Sequence, residues 1–188
     1  MPYPRAHYYV LVCMAVIVAG FWPSYFAQWG SVPWQFHAHG VAASIWVTMV
    51  FGQSWTAHRK LWPLHRSVGK SSLLLFPFLI AGLAAIIDVT AEGFVTGEGA
   101  TRAVFGGSFL LGILVAVAAY VTLYFRALRY RRKVWLHAGY MLTTPLILWE
   151  SPFSRLMIDY LPGFAVAGPQ DFPNIMRAIL WAMAMALA

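Results

Sequence analysis

The feature that most constrains this chain is a series of six apolar stretches, each near the length that crosses a bilayer, separated by connections that hold most of the charge. A membrane-spanning helix needs about 20 apolar residues, so 188 residues hold six of them and little else. Only 10% of the residues are charged, against 61% hydrophobic, whereas a soluble domain carries about 25% charged residues. Charge this sparse cannot coat a soluble globule. A disordered chain, a collagen, a disulfide scaffold and an ordinary cytosolic enzyme are all excluded. The fold class predicted is all-α: a polytopic membrane helical bundle of about six transmembrane helices, forming one domain over residues 1–188.

The stretches run from about His7 to Ala27, Pro33 to Ala57, Val68 to Ile87, Ala103 to Phe125, Val134 to Trp149 and Phe172 to Ala188. The first has only Arg5 as a basic leader and no small-residue cleavage site, so it reads as a retained helix rather than a signal peptide. Pro145 should kink the fifth. The segment from Ser151 to Asp171 is too apolar for a free loop. Within it Phe153 to Leu161 reads as a short interfacial helix, with Arg155 and Asp159 on its wet side at i,i+4. The sixth stretch is short and lacks flanking charge, so the native chain is expected either to continue past Ala188 or to tilt there. Trp22, Trp29, Trp34, Trp62, Trp135 and Tyr160 near the span ends make an ordinary aromatic belt.

Charge orients the bundle. Arg59, Lys60, Arg66 and Lys70 follow the second stretch, and Arg126, Arg129, Arg131, Arg132 and Lys133 follow the fourth. The acidic residues Asp88, Glu92, Glu98, Glu150, Asp159 and Asp171 fall in the alternate connections. The positive-inside rule then places the basic loops and the N-terminus in the cytoplasm, as a multi-pass protein of a bacterial inner membrane. The net charge of +7 is clustered between spans and forms no stripe, so nucleic acid is not an expected partner. A single cysteine, Cys13, lies within an apolar run, which excludes a disulfide framework and reads as a small core residue.

Polar groups within a bilayer cost free energy, so they mark where chemistry is to be sought. The second stretch holds the densest set, with His39, Trp46 and Gln53 recurring every seven residues on one stripe. Gln53 and Trp46, with Thr144 of the fifth stretch, are read as a polar interior whose plainest role is hydrogen bonding between helices. His37 and His39 stand about 200° apart on an ideal helix and cannot chelate one ion while both are helical. One of the two, with Asp88 and Glu150, could build an outer-face metal or proton site, against the simpler alternative of a Glu150–Arg155 ion pair.

His65 and His137 lie at matching depth on different helices near the cytoplasmic side. That is the arrangement a b-type haem requires, and Arg66 and Arg132 stand nearby to neutralise its propionates. The alternative is that both histidines meet lipid headgroups at the interface.

The order His39, Trp46, Gln53, then His65-Arg66-Ser67-Val68-Gly69, a basic loop, His137 with Met141, and Arg155-Leu156 resembles a widespread group of small bacterial integral membrane proteins with no established activity. The resemblance covers roughly Phe36 to Met157. It implies a bundle like that of transmembrane di-haem b-type cytochromes. This chain departs from those in its outer half, where only His37 and His39 occur, both on one helix. One haem b at most is therefore expected. Electron exchange with quinone is the activity that would follow. Two other functions remain open: an accessory or assembly subunit binding lipid, pigment or partner helices of a membrane complex, and the outer-face metal or proton site.

Overall fold

The computed structural model describes residues 2–97 and 100–187; Glu98 and Ala188 lie outside the described residues, as does the Arg102 side chain. All regular structure among the described residues is helical. Seven α-helices follow in order: α1 Ala6–Phe21, α2 Trp34–His58, α3 Trp62–Thr96, α4 Ala100–Arg129, α5 Val134–Ile147, α6 Glu150–Tyr160 and α7 Phe172–Leu187. Short 3₁₀ turns at Phe26–Ser31, Pro162–Phe164 and Pro169–Asp171 punctuate the connections.

Prolines and one glycine set the boundaries. Pro33 stands just before α2 in extended conformation. Pro63 occupies the first turn of α3, where its missing N–H costs nothing. That placement starts α3 six residues before the predicted Val68 and carries His65, Arg66 and Lys70 out of the expected loop and into the helix. At its other end α3 runs past Ile87 to Thr96 and stops at Gly97, whose φ of 71° is the left-handed cap that glycine adopts without strain. Lys60, at φ 58°, makes the tight reversal between α2 and α3. Pro145 lies in the last turn of α5, which ends at Ile147, and the chain re-enters helix as α6.

Consecutive helices pack as antiparallel neighbours, α2 on α3, α3 on α4 and α4 on α5. The segment expected at the interface forms α6, which packs on α1 and α7. It buries Pro152, Ser154 and Met157 and leaves Arg155 and Asp159 exposed. Gly20 is required at the α1–α6 crossing, because a Cβ there would collide with the Pro152 carbonyl.

The core sits at mid-height around Trp46, which is fully buried. Its ring meets Tyr124, Phe76 and Tyr120 at centroid distances of 5.5, 5.7 and 5.9 Å, and Phe76 stacks on Tyr124 at 4.1 Å. Trp46 Nε1 donates to Thr144 Oγ1 at 2.9 Å, tying α2 to α5. Ser72 and Tyr124 share a 3.0 Å hydroxyl hydrogen bond between α3 and α4. Cys13 is buried and in no disulfide, its thiol turned toward the Pro145 carbonyl.

Two helices, Trp62–Thr96 and Ala103–Arg129, are long and apolar enough to cross a membrane. α1 and α7 have 16 residues each, about 24 Å at 1.5 Å per residue, and α5 has 14.

Candidate functional site

The ends of the bundle differ in charge. One gathers the start of α1, the end of α2, the start of α3, the end of α4 and the start of α5, and holds the basic clusters. His65 and His137 both lie at this basic end.

His65, in the first turn of α3, directs Nδ1 at the Gln53 carbonyl of α2, 3.1 Å away, with Thr56 Oγ1 at 3.5 Å. His137, in the first turn of α5, directs Nδ1 at the Ala127 carbonyl of α4, 2.9 Å away. A carbonyl accepts but cannot donate, so each ring donates from Nδ1, and in the neutral tautomer this selects, Nε2 carries the lone pair. This is the orientation by which metal-ligating histidines are ordinarily held. The two imidazoles are also within electrostatic reach of each other and of Arg66.

Gln53 adds a further polar group. Its side chain fills the space beside Gly69, one turn beyond His65, at 3.6 Å from where a Cβ would stand. Its Nε2 is buried with no hydrogen-bond partner. A buried, unsatisfied donor is costly, and it fits a site that receives an acceptor from outside the chain. Arg66 and Arg132 are exposed at the same end.

The acidic end is built differently. His37 Nδ1 meets the Tyr25 hydroxyl at 3.0 Å, and Trp29 covers the ring at 4.4 Å. His39 Nδ1 is buried without a partner. The His39 backbone touches Gly82, where an added Cβ would lie 2.8 Å from His39 Cα, so α2 and α3 are in close contact here. Asp88 is exposed on α3. Burial pushes the Glu150 carboxyl above the ordinary glutamate range, opposed by the nearby Arg155 charge. Arg155 itself lies over the Phe21 ring at 5.2 Å and reaches Ser24 Oγ at 3.4 Å. Among the described residues no three His, Cys, Asp or Glu side chains gather closely enough to hold a metal. His37, His39, Asp88 and Glu150 are thus not assembled into the expected outer-face metal group.

A second pair of histidines meets at the basic end. His7 of α1 and His58 of α2 have ring centroids 5.4 Å apart with planes inclined at 39°. His7 drew no attention in the sequence. The signal that locates it is the antiparallel α1–α2 hairpin, which brings the first turn of one helix beside the last turn of the other. Comparison with known protein families, with curated proteins and with solved structures found no match.

Proposed function

We propose that this chain is a b-type-cytochrome-like integral membrane protein that binds one haem b between His65 and His137 and serves electron transfer. Membrane insertion is supported by where the apolar surface lies. In the apolar windows of α3 and α4 only 28% and 11% of residues are buried. Leu74, Phe78, Leu111 and Val115 instead face outward. A core helix of a soluble protein would bury such residues, whereas a bilayer solvates them. In the proposed arrangement the chain crosses six times, with the shorter α1, α5 and α7 completing the set and α6 lying at the outer interface. The basic end and N-terminus face the cytoplasm by the positive-inside rule.

The observation that carries the haem reading is the shared state of His65 and His137: two helices, one end, Nδ1 on a main-chain carbonyl, Nε2 free. Haem would supply a one-electron carrier. The chain's own residues would supply the rest. The Gln53 and Ala127 carbonyls hold the two tautomers, and hydrogen bonding of this kind raises ligand basicity. Arg66 and Arg132 offer guanidinium groups to propionate carboxylates, and the Gln53 amide supplies a donor. Quinone is the proposed electron partner.

A reduced-minus-oxidised visible spectrum of the detergent-purified protein, expressed with added haem, tests this reading. The expected result is a b-type spectrum with one haem per chain by pyridine haemochrome. A colourless protein that co-purifies with a stoichiometric partner would replace this reading with that of an accessory subunit.

A further inference from the structure

We propose that His7 and His58 form a two-imidazole site for a monovalent transition ion, copper(I). This pair stands apart from His65 and His137 and does not depend on the haem reading.

Three observations support it. The rings come from different helices and sit 5.4 Å apart between centroids. One ion bound about 2.0 Å from a nitrogen of each ring holds two imidazole centroids about 5–6 Å apart, depending on the angle at the metal. His7 is 8% exposed, and its Nδ1 is buried with no hydrogen-bond partner. A buried ring nitrogen left unsatisfied costs free energy that a bound ion would recover. His58 is exposed, so an ion can arrive from solvent.

The surroundings select the ion. No acidic residue precedes Asp88 in the chain, so α1, α2 and the turn between α2 and α3 offer no carboxylate. The neighbours in sequence are cations instead: Arg5 near His7, and Arg59 and Lys60 after His58. Two neutral donors among positive charges disfavour a divalent ion more than a monovalent one. Zinc sites almost always use four ligands, or three with water. The described residues supply no third His, Cys, Asp or Glu here. At 5.4 Å between centroids the angle at the ion is about 120° for nitrogen bonds of about 2.0 Å, which suits trigonal copper(I) with a third, exogenous donor such as chloride entering from the solvent beside His58.

The test is an anaerobic titration of the full chain in detergent, with copper(I) held by a chromophoric bicinchoninate or bathocuproine chelator. The wild type should withdraw one copper(I) per chain. His7→Ala and His58→Ala should each weaken binding by more than about tenfold, the lower bound for losing even an outer-shell partner. Since His58 is exposed, His58→Asn should lose copper with an unchanged melting temperature, separating ligand loss from misfolding. Cys13→Ala should bind as the wild type does. The proposal is overturned if the chelator retains all the copper, or if the His7 and His58 variants bind as tightly as the wild type. Tighter binding of zinc than of copper(I) at these two residues would overturn the choice of ion.

Discussion

At the basic end of the bundle, His65 and His137 come from two helices, and each is steered by a carbonyl from a neighbouring helix. At the acidic end, His37 and His39 come from one helix two residues apart. The first is held by a tyrosine hydroxyl, and the second is pressed against Gly82 with its Nδ1 unpartnered. Both ends thus carry paired histidines, but only the basic end presents two free Nε2 atoms from different helices. A histidine pair becomes a ligand pair through the elements that supply and orient it, and the tally of histidines at each end does not show this.

The joint between the two ends is Trp46, so its removal should have the largest effect. Trp46→Ala leaves a cavity beneath Phe76, Tyr120 and Tyr124 and removes the donor to Thr144 Oγ1, which keeps its own bond to the Met141 carbonyl. A loss of about 3–5 kcal/mol is expected, read as a lowered melting temperature in detergent, with both ends disturbed together. If the basic end kept its properties while the acidic end melted, the ends would be separate units and the comparison would need redrawing.

His39→Leu sharpens the contrast. It removes a buried nitrogen that has no partner, so stability should hold or rise by about 1 kcal/mol. His65→Leu removes a hydrogen bond to Gln53 and should lower stability. Equal losses in thermal melts of the two variants would mean that His39 has a partner and a role.

The smallest effect is the pH dependence set by Glu150. Its carboxyl titrates above the ordinary glutamate range because it is buried, so the folded state holds the proton more tightly than the unfolded state does. Stability should therefore be greatest below the ordinary glutamate range and decline as pH rises through the raised value. Glu150→Gln should flatten that decline. A melting temperature that instead rises with pH across this window would show the Arg155 charge outweighing burial.

Much of the helical layout was legible in the sequence, because apolar periodicity and clustered charge act locally. The stripe of His39, Trp46 and Gln53 does face inward, with Trp46 fully buried and the His39 Nδ1 and Gln53 Nε2 atoms sealed from solvent. The start of α3 was not legible: Pro63 reads as a breaker, but it stands in the first turn, where proline is tolerated. Pro145 marks where the sequence predicts a disturbance, and α5 ends two residues later at Ile147; the burial of α6 is not legible, since it depends on the close approach of Gly20 to Pro152. Matched depth placed His65 and His137 at one end. Their carbonyl partners on α2 and α4 arise from tertiary packing, which spacing does not encode. The His7–His58 contact was missed for the same reason.

The most direct test of the central claim is the haem content of His65→Ala and His137→Ala beside His37→Ala, each purified from haem-supplemented cells. The account predicts that both basic-end variants lose the b-type Soret band and that His37→Ala keeps one haem per chain. Haem retained in His65→Ala and His137→Ala, or lost in His37→Ala, would contradict it.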